Sequence, residues 1–134
     1  MALSAGKLES GQTFSAVVAL DLKRTQIVQY AGASGDYNPL HSDEPFAREV
    51  AGFPTVFAHG MLTMGMTGQA LTAWLGDGAV RTFGVRFSAQ VWPGDTLTAR
   101  FNVDGVEDGA LQIVVSVVNQ DDREVLVGSA TAAA

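Results

Sequence analysis

The residues best able to do chemistry lie in one short segment, Gly35-Asp36-Tyr37-Asn38-Pro39-Leu40-His41. The chain has two histidines, His41 and His59, so acid–base work near neutral pH has few candidates. His41 follows Asp36 by five positions, across a loop stiffened by Pro39. The proline confines Asn38 to extended conformations, and Asn38 can brace the turn through its own side chain. Such a loop can bring a carboxylate and an imidazole to one point and hold a water molecule there. The same residue types also suit an Asx-type turn at Asp36 and a polar helix-flanking residue at His41. Spacing alone leaves both readings open. A metal site built from Asp36, His41, Asp43 and Glu44 is a third reading. It is disfavoured, because Asp43 and Glu44 are placed to serve a helix N-terminus and no second histidine sits at ligand spacing, so no metal is expected.

His59-Gly60 opens the next candidate element. A helix N-terminus carries unpaired N–H groups and a partial positive charge, and Gly60 has no side chain to keep a ligand carbonyl away. A thioester oxygen held there would have its developing charge stabilised, as in an oxyanion hole. The simpler reading makes Gly60 a packing glycine and His59 a core residue at a helix cap, and for His59 the simpler reading is preferred.

These residues need elements to position them. Thr13 to Leu20 is rich in small and β-branched residues and reads as a strand. Asp21 reads as the N-cap of a helix to about Ala31, with Leu22, Ile27 and Tyr30 facing inward. Gly32 to Leu40 is a breaker-rich loop, and Ser42 or Asp43 can cap a short helix to about Val50. His59 to Leu75 carries no charge on any face and reads as a helix surrounded by protein. From Ala79 the apolar period becomes two, with turns at Trp92-Pro93-Gly94-Asp95 and Asp104 to Gly109, predicting a four-strand antiparallel meander. The expected architecture is α+β: a curled five-stranded antiparallel sheet wrapped around one buried helix, in a single domain spanning 1–134. One such sheet cannot enclose a helix on all sides, so dimerisation is expected.

The bulk numbers agree. The 134 residues suit one domain, and 47% apolar with 16% charged residues supplies a core. A net charge of −6 and no run of Lys or Arg disfavour nucleic acid. An anionic carrier such as CoA would need positive charge placed locally, for which Arg81, Arg86 and Arg100 are candidates. The absence of cysteine removes disulfides and thiolate chemistry. The start, Met1 to Lys7, lacks the apolar stretch of a secretory signal, and Gly60 to Gly76 is too short and too rich in small polar residues for a membrane span. A cytoplasmic protein is expected. The acidic residues Asp104, Glu107, Asp108, Asp121 and Asp122 read as solvated turns.

The segment from Tyr30 to Asp43 closely resembles the signature of the MaoC-like dehydratases, also called R-specific enoyl-CoA hydratases of type 2. Phe46-Ala47, Ala58-His59-Gly60-Met61-Leu62 and Trp92-Pro93-Gly94-Asp95-Thr96-Leu97 agree in order and spacing, so the resemblance spans about residues 12–132. It implies the hot dog fold, assembled in dimers. It also implies a hydro-lyase interconverting trans-2-enoyl and (R)-3-hydroxyacyl thioesters, with Asp36 and His41 activating water, the Gly60 N–H holding the thioester oxygen and Asn38 supporting the loop. No cofactor is implied beyond CoA or phosphopantetheine as the substrate's carrier. One departure stands out. Family members of short-chain polyester synthesis carry a helix serine eight residues beyond the oxyanion glycine, where this chain has Gly68. Either Thr67 substitutes, or the hydroxyl is dispensable, or Gly65 and Gly68 leave room for a long acyl tail. The stretches Ala58 to Gly65 and Leu71 to Asp77 are also similar to the catalytic subunit of actinobacterial 3-hydroxyacyl-ACP dehydratases, which pairs with a second hot-dog subunit, so homodimer and heterodimer both stand. A non-enzymatic acyl-binding or scaffold subunit and a thioesterase are the competing readings. Retention of both Asp36 and His41 argues against the first, and the intact hydratase motif argues against the second.

Overall fold

The computed structural model describes residues 8–134; the Met1 to Lys7 start lies outside them. The elements are β1 (Thr13–Ala19), α1 (Arg24–Ser34), a 3-10 turn (Pro39–His41), a π-helical turn (Phe46–Val50), α2 (Gly60–Leu75), β2 (Val80–Phe87), β3 (Leu97–Glu107), β4 (Ala110–Val118) and β5 (Glu124–Ala133). The five strands form one antiparallel sheet in the order β1-β3-β4-β5-β2. The α2 helix packs on its inner face.

The expected meander is only partly realised. β3, β4 and β5 follow one another, but β2 pairs with β5 at the far edge rather than with β3. The cause lies in residues 88–96. This connection is pinned to the helical layer by Ala58 N–H donating to Val91 O (2.8 Å), Leu22 N–H to Asp95 O (2.9 Å) and Gly94 N–H to Leu22 O (2.7 Å). A tight hairpin between β2 and β3 is therefore excluded. The Trp92-Pro93-Gly94-Asp95 turn forms as expected, with buried Asp95 accepting the Trp92 N–H and the Gln120 amide. The Asp104 to Gly109 segment is mostly strand instead of turn. β3 continues to Glu107, and Asp108-Gly109, both at positive φ (52° and 75°), make the two-residue hairpin.

Two helix boundaries differ. Asp21 sits at φ 48°, bonded to Thr96 Oγ1, and α1 starts at Arg24 with the Gln26 side chain accepting the Lys23 N–H. At its other end α1 runs through Gly32 and Ala33 to Ser34, stopping at left-handed Gly35 (φ 77°). The expected short helix forms as the π-helical turn over Phe46–Val50, with Asp43 Oδ1 accepting the Phe46 N–H, and a 3-10 turn at Pro39–His41 precedes it, at the end of the expected loop.

The core joins both layers. Phe14 on β1, Trp74 on α2 and Phe101 on β3 stack almost parallel at 5.3–6.2 Å. Leu71, Leu97, Leu111 and Leu126 are fully buried. The α2 helix is not enclosed all round. Met61, Gly65, Gln69 and Ala73, one i, i+4 row, face outward. A five-stranded sheet covers only part of a helix, and this row is the part it leaves.

Candidate active site

Local hydrogen bonds shape the segment after α1. Asp36 N–H donates to Ser34 Oγ (3.1 Å), Asn38 N–H to Asp36 Oδ1 (3.2 Å), Leu40 N–H to Asn38 Oδ1 (3.0 Å) and His41 N–H to Asn38 O (3.0 Å). The two accepted by Asp36 Oδ1 and Asn38 Oδ1 are successive Asx turns. Asp36 thus fills the turn role and still presents Oδ2, which has no protein partner among the described residues. Asn38 holds the turn that delivers His41.

His41 is half-buried, with Nδ1 2.6 Å from Phe57 O. A carbonyl can only accept, so Nδ1 carries the hydrogen and Nε2 keeps a lone pair. Burial lowers the His41 pKa; the Phe57 carbonyl pulls it up, His59 pushes it down, and Asp36 raises it slightly. The ring is therefore a neutral base at pH 7.

His59, 2% exposed, is more than a core residue. Its Nε2 lies 3.0 Å from Asp36 O and donates to it, its ring stacks on His41 (centroids 3.8 Å, planes 24° apart), and Tyr30 meets it edge-on. Asp36, His41 and His59 each bring a carboxylate oxygen or ring nitrogen within 4.8 Å of the others. Imidazole lone pairs lie in the ring plane, so two stacked rings send theirs side by side instead of converging on an ion. Asp43 and Glu44 are engaged elsewhere. Asp43 caps a turn, and Glu44 accepts from Arg24 (2.7 Å) and the Thr55 hydroxyl (2.6 Å), contacts that lower its pKa in that order. This pairing ties the start of α1 to the strap that carries Phe57.

A cavity of about 260 Å³ opens at the start of α2, lined by Phe57, Gly60, Thr63, Phe87, Ala89 and Val91 among others. The Gly60 N–H faces no protein acceptor among the described residues, and His59 offers its helix no side-chain cap. A Cβ at Gly60 would come within 3.0 Å of the Phe87 ring. Asp36 and His41 do not line the cavity; Phe57, which anchors His41, does. Gly65, Thr67 and Gly68 do not line it either. Thr67 is fully buried and donates to Thr63 O at 2.8 Å, so its hydroxyl is spent on its own helix. The Phe83 ring stands 3.4 Å from where a Gly68 Cβ would be. Gly65 is open to the outside. Arg81, Arg86 and Arg100 are all exposed, and Arg100 pairs with Asp122 at 3.1 Å.

Sequence reasoning passed over two contributors. The Phe57 carbonyl is invisible because any residue has one. His59 looked like core, and its burial is real, but its loop contact spans 23 positions.

A family model described as a MaoC like domain matches residues 7–125. The 3-hydroxyacyl-thioester dehydratase Y of Mycobacterium tuberculosis is 48% identical over 68 residues, 48% of this chain and 23% of its own length. Enoyl-CoA hydratase ChsH3 of the same organism is 40% identical over 116 residues, 83% of this chain and 38% of its own length. The (R)-specific enoyl-CoA hydratase of Rhodospirillum rubrum is 38% identical over 101 residues, covering 74% of this chain and 68% of its own. The chain thus spans well under half the length of the first two. Among solved structures, the (R)-hydratase from A. caviae involved in PHA biosynthesis superposes with a TM-score of 0.83 at 27% identity, covering 95% of this chain and 97% of that one. Two others show likeness of fold alone. They are the ChsH1-ChsH2 complex of M. tuberculosis (0.81, 21% identity, covering 95% and 98%) and RV0216 of the same organism, described as a double hotdog fold (0.80, 23%, covering 98% and 43%).

Proposed function

The chain belongs to the MaoC-like family and has its hot dog fold, and from that premise we propose that it is a hydro-lyase acting on trans-2-enoyl and (R)-3-hydroxyacyl thioesters. The observation that carries this is the juxtaposition of Asp36 and His41, with the His41 tautomer set by Phe57 O so that Nε2 is free to take a proton.

In the hydration direction, water sits between Asp36 Oδ2 and His41 Nε2. Nε2 takes one proton as the hydroxyl bonds to Cβ. The Cα–Cβ π electrons shift to Cα and the thioester oxygen, where the Gly60 N–H and the α2 dipole meet the charge. The proton then returns from the pair to Cα, so one water is added in sum. Dehydration is the reverse. This chemistry draws on no cofactor; CoA or phosphopantetheine enters as the substrate's carrier. The edge of β2 left unpaired among the described residues and the exposed α2 row support work as a hot-dog dimer with a like or related subunit. No helix among the described residues is long and apolar enough to cross a membrane.

The test is the loss of conjugated enoyl absorbance when crotonyl-CoA and longer 2-enoyl-CoAs are given to the purified chain. Asp36→Asn and His41→Ala should each cut kcat by about 10³-fold or more. Wild-type rates in either folded variant would overturn the assignment, and thiol release without hydration would point to a thioesterase.

A further inference from the structure

We propose that Thr63, through its side-chain hydroxyl, is a second donor to the thioester oxygen beside the Gly60 N–H, a role resting on the hydratase reading above. Thr63 is 2% exposed, and its Oγ1 has no hydrogen-bond partner among the described residues. Buried hydroxyls are nearly always paired, and one left bare calls for a specific explanation. A helical threonine commonly donates to the carbonyl four residues back, as Thr67 does to Thr63 O. For Thr63 that acceptor is His59 O, which already takes the N–H groups of Leu62 and Thr63.

The placement supplies the explanation. Thr63 and Gly60 are three residues apart on α2, share a face and line the same cavity. Helical side chains lean toward the N-terminus, so the Thr63 hydroxyl is carried back toward the Gly60 N–H. An oxygen held at the helix start then has a backbone donor in front and a side-chain donor beside it. Neither donor needs to leave a protein partner to reach it. The hydroxyl absent at Gly68, where Phe83 fills the space, and unavailable at Thr67 is thereby supplied one turn from the oxyanion glycine.

The competing arrangement is internal. His59 Nδ1 is the other buried polar atom without a partner, and it begins the same turn. A Thr63 O–H given to that nitrogen would satisfy both groups within the protein. Thr63→Val, Thr63→Ala and Thr63→Ser separate the two. Each would be assayed for crotonyl-CoA hydration, butyryl-CoA binding and thermal midpoint. With a substrate donor, Thr63→Val and Thr63→Ala lose about 10–100-fold in kcat/KM, mostly in kcat, while Thr63→Ser recovers most of it. The valine variant then melts no lower than wild type, because an isosteric apolar group replaces a bare hydroxyl. Wild-type rates in the valine or alanine variant, or a serine variant as slow as they are, would overturn the proposal. If the wild-type chain binds butyryl-CoA in a Thr63-hydroxyl-dependent way yet hydrates nothing, the reaction fails and the donor stands. If neither rate nor binding depends on the hydroxyl, the donor fails.

Discussion

The imidazole of His59 lies against that of His41, centroids 3.8 Å apart, while its Nε2 donates to the main-chain oxygen of Asp36 at 3.0 Å. One buried side chain at the start of α2 therefore touches both members of the proposed acid–base pair. It couples the loop to the helix that carries Gly60, so the proposed pair and the proposed oxyanion donor are held by one residue.

His59→Phe keeps a flat ring for stacking and loses the donor to Asp36 O. We expect a fall of about 10–100-fold in kcat with KM little changed, since a misplaced base costs rate more than binding. His59→Gln, which can still donate, should recover part of the loss. Full activity in folded His59→Phe would show that ring packing alone sets the loop.

Burial holds the His41 pKa below its ordinary 6.5. The base is needed neutral, so the acid limb of kcat/KM for hydration should have its midpoint below 6.5. Stability follows the same sign. Below 6.5 the unfolded chain takes the proton more readily than the folded one, so stability falls as pH drops from 6.5 toward the folded-state value. An NMR titration of His41 would check this directly. In Asp36→Asn the midpoint should move lower still, because the carboxylate is one of the groups raising it. A midpoint at or above 6.5 would contradict the burial argument.

Local pattern made the loop legible in advance. Asp36, Asn38 and Pro39 specify their own turns within a few residues, α2 announces itself as a long uncharged run, and the later strands by their period of two. Partners far apart in the chain were not legible. The position of β2 beside β5 depends on the 88–96 strap crossing the helical layer, which no local signal marks. The outward row on α2 was hidden because Met61, Gly65, Gln69 and Ala73 carry no charge. The hydroxyls of Thr63 and Thr67 are the same chemistry four residues apart, and only three dimensions show that one is bonded and the other bare.

Gly60→Ala leaves the N–H in place but sets a methyl in front of it, 3.0 Å from Phe87. The Phe87 ring is 47% exposed and can give way, so the stability cost should stay below about 1 kcal/mol. Hydration should nevertheless fall about 10²-fold, as when an oxyanion donor is lost. Equal activity would place the thioester oxygen elsewhere.

Gly128 and Gly84 stand on neighbouring strands and offer a paired test of how β2 is held. A Cβ at Gly128 would run into the Gly84 carbonyl oxygen and lie 2.8 Å from Val85 Cα, backbone that cannot rotate away. A Cβ at Gly84 meets nothing within 4 Å. Gly128→Ala should therefore cost about 1–3 kcal/mol or more, whereas Gly84→Ala should be near neutral. β5 is β2's only partner strand among the described residues, and β2 carries Phe83 against Gly68 and Phe87 against Gly60. Displacing it should disturb the cavity as well as the fold. Denaturant unfolding and hydration rates on both variants check this. A Gly128→Ala protein with wild-type stability would mean that the strands can part there without strain.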